Sequence, residues 1–241
     1  MIVDLDHVVV LTGDIAAGEA AYQSLFARTP AWKNSGDGAD RVLFTLDNMS
    51  LELMAPSGDG PNADRIRSVL AAQGEGLASL CFRTDDIAKM HRRLDRLTLK
   101  PELVSEAESR DAASGASLSW KRTRAATSAT RGVRMFFLEL AKERPLSVRT
   151  TAASITAMDH IVVSTADPER AAALYGARLG LDGARPFAPG LGQVDVLPLR
   201  RPDRGGDTPA GQAWRCGARY AVGHDLARRG YGCDPGAACR R

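Results

Sequence analysis

The chain carries the same acid–imidazole dipeptide twice. Asp6-His7 lies in L-D-H-V-V-V-L-T-G-D, residues 5–14, and Asp159-His160 lies in M-D-H-I-V-V-S-T-A-D, residues 158–167. An imidazole moves a proton near neutral pH or ligates a metal, and it serves equally as a hydrogen-bonded structural group. Two glutamates stand in apolar company, Glu52 in S-L-E-L-M and Glu139 in M-F-F-L-E-L. A carboxylate inside an apolar strand needs a partner, a metal or solvent. Alternation across residues 49–54 puts Met49, Leu51 and Leu53 on one face and Ser50, Glu52 and Met54 on the other. Trp120, Arg122 and Arg124 also share a face. A ring and two guanidiniums there suit an anionic molecule, or a solvated edge strand. Cys216, His224, Cys233 and Cys239 contain no C-x₂-C pair and give no zinc expectation.

These residues must be held by strands and helices, and the pattern of elements repeats. Residues 7–11 are β-branched and apolar, a buried strand. Asp14 is placed to cap a helix in which Ile15, Tyr22, Leu25 and Phe26 recur at helical spacing. Residues 41–46 and 49–55 read as strands joined at Asp47-Asn48, and a short helix over 62–72 ends near Gly74. The pattern then restarts. Residues 77–83 form a strand, and Asp86 caps a helix with Ile87, Met90, Leu94 and Leu97 on one face. Residues 117–124 and 133–140 follow as strands. A third start comes at 158–164, with Asp167 as cap and Pro168 in the first turn, where a missing N–H costs nothing. A repeated β-α-β-β(-β) unit exposes one face of its sheet, so two units are expected to pair in an α+β fold.

Bulk properties narrow the function classes. A net charge of +3 over 241 residues gives no nucleic-acid signature. No apolar run approaches the roughly 18 residues of a membrane span, and no leader pattern opens the chain, so a cytoplasmic protein is expected. Four cysteines make no disulfide framework, and Cys81, inside an apolar run, reads as a small core residue.

The repeat opening on L-D-H-V-V-V resembles the vicinal oxygen chelate superfamily, which includes glyoxalase I, bleomycin-resistance proteins and extradiol dioxygenases. The resemblance covers residues 1–182. Its anchors are Leu5-Asp6-His7, Leu51-Glu52-Leu53, the run L-A-S-L-C-F-R-T-D-D-I at 77–87 and M-F-F-L-E-L at 135–140. It implies tandem βαβββ units that pair into a cupped mixed sheet with helices outside, around a divalent metal (Zn, Fe, Ni or Mn). The implied ligands are His7, Glu52 and Glu139, with one of the two glutamates doubling as catalytic base. The remaining ligand position falls on Ser79, a poor ligand, which with Trp120 and Arg122 is assigned to substrate. The implied activity is that of a lyase, isomerase or dioxygenase on a small molecule with neighbouring oxygens. The alternative is a non-catalytic binding protein of the antibiotic-resistance kind, which Ser79 favours. The implied partners are a small-molecule substrate and a second copy in a homodimer, with no specific nucleic acid and no membrane.

The expected domains are a complete two-unit domain over 1–145, a linker over 146–156 and the start of a second domain over 157–182. Composition breaks sharply after that. Residues 183–241 hold 10 Arg and no Lys, and 11 of the 23 Gly. Reading the codons they allow one base later gives a strand–turn–strand pattern like that of 41–52. A frameshift near 182–184 is therefore expected, the alternative being a basic, Gly/Pro-rich disordered tail. Without its sheet partners the half-domain is expected to be exposed and unstable, and His160 to make no site.

Overall fold

The computed structural model describes residues 1–181 and, beyond them, the backbone of three short strands. The composition break and the expected frameshift near 182–184 lie outside the described residues. The first unit consists of β1 (Ile2–Leu11), α1 (Ile15–Phe26), β2 (Trp32–Gly36), β3 (Ala39–Thr45) and β4 (Ser50–Pro56). Then comes α2 (Pro61–Gln73). The second unit consists of β5 (Gly76–Thr84), α3 (Ile87–Arg96), β6 (Ser105–Arg110), β7 (Ser117–Arg124) and β8 (Met135–Leu140). The third start is β9 (Ala157–Ser164) and α4 (Pro168–Ala172), which widens into a π-helical segment over Ala173–Arg178. The short strands are β10 (Arg185–Pro186), β11 (Gln193–Val196) and β12 (Arg215–Ala221).

The three predicted aspartate caps form. Asp14 accepts from the N–H of Ala16 at 2.8 Å, Asp86 from that of Lys89 at 2.8 Å, and Asp167 from that of Arg170 at 3.1 Å. The Asp47-Asn48 turn also forms, closed by Leu46 N–H to the Met49 carbonyl at 2.8 Å. Strands β2 and β6 are additions to the sequence reading. Their residues, W-K-N-S-G and S-E-A-E-S-R, are polar and lack an apolar stripe.

Eight strands form one sheet in the order β2-β3-β4-β1-β5-β8-β7-β6. Each unit therefore runs first–last–third–second, and the two join where β1 meets β5 antiparallel. The outer strands nearly meet. Trp32 Nε1 donates to Ser109 Oγ at 2.8 Å, and Lys33 N–H to Asp111 Oδ1 at 2.9 Å. The sheet is thus a nearly closed cup, the α+β architecture the repeat implied.

The larger core lies outside the cup and takes in Leu5, Val8, Phe26, Phe44, Phe82 and Phe137. Phe82 and Phe137 stack at 5.8 Å, and Phe26 meets Phe44 edge-on at 5.7 Å. The third start joins this core. Met158, Ile161, Val163, Leu174 and Tyr175 are buried in the same cluster, and Tyr175 Oη donates to the Thr130 carbonyl at 3.3 Å. The expected exposed half-domain is therefore corrected: its apolar face is covered by the first domain. Arg28, fully buried, fastens the lead-in to β9. Its Nε donates to the Ile155 carbonyl at 2.8 Å, its Nη1 to the Thr45 and Ser147 carbonyls at 3.3 Å, and its Nη2 to Asp47 at 2.9 Å.

Candidate functional site in the cup

The concave face of the sheet encloses a cavity of about 850 Å³. Its floor is Val9 and Leu11 on β1, Cys81 on β5 and Leu138 on β8, and helix α2 brings Ile66 and Val69 to the same apolar cluster. The start of α2 sits on the β2–β3 turn. A Cβ on Gly38 would stand 2.9 Å from the Ala63 nitrogen, and Gly38 has φ +69°, so this turn requires glycine.

His7 enters the cup through an irregularity of β1. Leu5 faces Phe82 and His7 faces Cys81, so Asp6 is an extra residue, a bulge. Neighbours on a regular strand point to opposite faces. The bulge lets Asp6 reach its neighbour instead, and His7 Nδ1 lies 2.6 Å from Asp6 Oδ2. Arg144 closes on the same carboxylate, with Nη2 at 2.8 Å and Nε at 3.1 Å. Asp6 thus holds the imidazole with Nε2 turned to Glu52, whose Oε2 is 3.6 Å away. Arg41 Nε stands 3.6 Å from the other Glu52 oxygen.

Burial opposes the charge on Asp6, yet Arg144 and His7 hold its carboxyl well below the usual range. Burial likewise opposes an imidazolium at His7, and Cys81 and Asp6 outweigh it, pushing the pKa up to about 10. The Arg144 guanidinium, also opposed by burial, is raised by Asp6.

Of the residues singled out in the sequence, His7, Glu52, Ser79, Trp120 and Arg122 all line this cavity. Glu139 does not, and its assignment as ligand and base is corrected. Alternation along β8 turns Phe136 and Leu138 to the cup and Met135, Phe137 and Glu139 to the helices. There Glu139 Oε2 accepts the Ile87 N–H at 2.7 Å, satisfying a free donor in the first turn of α3. The cup position next to it on β8 belongs to Leu138.

The divalent metal that the resemblance implies is therefore poorly matched by the residues here. His7 Nε2 and Glu52 are two donors, Ser79 is a neutral hydroxyl, and Leu138 offers none. Among the described residues no three His, Cys, Asp or Glu side chains are grouped to hold a metal ion. Local sequence pattern passed over Arg41, Arg65, Arg134 and Arg144, which also line the cup. Arg144 lies just after β8, at the end of the expected first domain, and nothing in its neighbours in sequence marks it.

Residues 5–180 match the family described as the glyoxalase-like domain, and the chain belongs to that family. No curated protein matches it in sequence. Among solved structures it is similar to the methylmalonyl-CoA epimerase of Mycobacterium tuberculosis, at 21% identity and a TM-score of 0.49, over 58% of this chain and 90% of that one. It is also similar to the Streptomyces coelicolor methylmalonyl-CoA epimerase in complex with 2-nitronate-propionyl-CoA, at 16% identity and a TM-score of 0.49, over 59% of this chain and 100% of that one. A hypothetical protein from Bacillus halodurans aligns at 15% identity and a TM-score of 0.48, over 58% of this chain and 95% of that one. Among the described residues no helix is long and apolar enough to cross a membrane.

Proposed function

We propose that the protein is a glyoxalase-like lyase or isomerase that takes a small oxygen-bearing anion into the cup and works by proton transfer at His7 and Glu52. The observation that carries this reading is the His7–Glu52 pair, 3.6 Å apart on the lining of an 850 Å³ cavity and oriented from behind by Asp6. A carboxylate beside an imidazole is the pairing needed to remove a proton next to a carbonyl. Glu52 accepts that proton, and His7 Nε2–H donates to the oxygen that gains charge. Asp6, accepting from Nδ1–H, fixes which nitrogen faces the ligand. Trp120 and Arg122 contact the rest of the molecule.

The test is deuterium exchange at the carbon next to the carbonyl, followed by NMR over a panel of 2-oxo acids, 2-hydroxy-acid thioesters and dicarbonyls. Exchange that persists with a chelator present and disappears in Glu52→Gln is the expected result. Exchange that needs added Zn, Fe, Ni or Mn, or that survives Glu52→Gln, would overturn it. The second reading is sequestration without turnover, favoured by Ser79 and Leu138 standing where ligating groups were due. Saturable binding of a panel member with no exchange in wild type would select it.

A further inference from the structure

Charges in the cup are distributed unevenly. At the His7 end each cation has its carboxylate: Asp6 serves His7 and Arg144, and Glu52 serves Arg41. Toward the other end four guanidiniums gather. Arg122 and Arg124 alternate inward from β7, Arg134 precedes β8, and Arg65 comes down from α2. Arg124 pairs with Glu102 and lies over the Phe136 ring, 5.8 Å from its centroid. Its Nε is nevertheless buried without a hydrogen-bond partner. Among the described residues Arg122 and Arg134 form no ion pair, and Arg65 donates only to Asn62. Besides burial, the nearness of Arg134, Arg124 and Arg122 makes the charge on Arg65 harder to keep, with Asp37 acting against them. The acids on this part of the lining, Asp37, Glu102 and Glu108, are all exposed.

Four guanidiniums facing one space from α2, β7 and the residue before β8 repel one another, and an anion standing between them offsets that repulsion. One carboxylate brings a single charge and two oxygens. A phosphoryl group brings close to two charges and three acceptor oxygens, and planar guanidinium forks fit it two bonds at a time. We infer that Arg65, Arg122, Arg124 and Arg134 form a phosphoryl-binding subsite, so that the molecule entering the cup carries a phosphate at the end away from His7. Only the pairing of this end with chemistry at Glu52 rests on the reading above; the phosphate site itself does not. Because Arg65 belongs to α2 and the others to β7 and the approach to β8, the bound anion also ties the helix to the cup.

The experiment titrates the full chain with inorganic phosphate and pyrophosphate at fixed ionic strength, by calorimetry and by thermal unfolding, with chloride and acetate as comparisons. Saturable phosphate binding is expected, with a rise in the unfolding midpoint that chloride does not give. Arg122→Gln combined with Arg134→Gln is expected to weaken phosphate by about tenfold or more. The same variant should unfold no earlier than wild type in chloride, since it removes repulsion. Arg67→Gln, on the same helix but paired with Asp64 outside the cavity, should change nothing. Phosphate acting no better than chloride, acetate binding as tightly, or a response intact in the double variant would each overturn the subsite. Glu52→Gln should bind phosphate as wild type does. Exchange that survives in Glu52→Gln, with phosphate binding retained, would then condemn only the catalytic reading.

Discussion

Asp6-His7 and Asp159-His160 are the same dipeptide on the same kind of strand, and they end in different places. In the first, Nδ1 to Oδ2 is 2.6 Å, with 7% and 4% of the side chains exposed; in the second it is 3.2 Å, with 32% and 36% exposed. Both lie at an irregularity of their strands, but not the same one: β1 meets β5 antiparallel with Asp6 alone unpaired between Leu5 and His7, whereas β9 meets β12 parallel with both Asp159 and His160 between the paired Met158 and Ile161. The repeat therefore reproduces an irregularity at the dipeptide. What it does not reproduce is the cover. His7 lies between β4, which brings Glu52, and β5, which brings Cys81, and Arg144 closes over Asp6. A motif fixes a backbone shape, and the neighbours decide whether that shape becomes a site.

The contrast can be broken most directly at the aspartates. Asp6→Ala strands a buried imidazole and guanidinium and should cost about 3–5 kcal/mol in urea unfolding. Asp159→Ala at the half-exposed copy should cost within about 1 kcal/mol. Equal losses would mean that the two pairs are energetically alike. Arg144→Ala removes charge-assisted hydrogen bonds and should cost about 2 kcal/mol, with the His7 ring resonances shifting and those of His160 staying in place. Glu139→Ala takes an acceptor from the start of α3 and should cost about 1 kcal/mol, leaving exchange chemistry in the cup untouched. Lost exchange in that variant would return Glu139 to the site.

Acidity sharpens the same comparison by smaller steps. The His7 pKa is raised, so its contribution to stability is complete below the ordinary imidazole value of about 6.5 and fades as pH climbs through about 10. Asp6 is depressed, so its contribution is complete above the ordinary carboxylate value of about 3.9 and fades as pH falls. The stability gap between wild type and Asp6→Asn should be widest between about pH 4 and 6.5 and narrow toward pH 10. A gap that widens with rising pH would rule out the charged pair.

Much of this was legible in the chain itself, because the signals were local. The three aspartate caps, the Asp47-Asn48 turn and the separation of Glu52 from the face of Leu51 and Leu53 follow from spacing alone; that this face looks into the cup is what the family resemblance implied. Glu139 misled because β8 is apolar on both faces, one toward the helices and one toward the cup beneath α2, so alternation had no polar face to choose. β2 and β6 were missed because edge strands with few buried residues carry no stripe. Arg144 could not be seen from its neighbours, since its partner Asp6 is 138 positions earlier.

Arg28 has a consequence for where the molecule can be divided. Two of its acceptors, the carbonyls of Ser147 and Ile155, belong to the stretch between the end of the cup and β9. A polypeptide severed at residue 145 keeps all eight strands of the cup and loses half of what satisfies a guanidinium shut away from water. The seam that the repeat draws at 145 is thus not a seam of autonomy. The cup and the lead-in to the third repeat are expected to unfold in one cooperative transition, and protease resistance gained by one to be shared by the other.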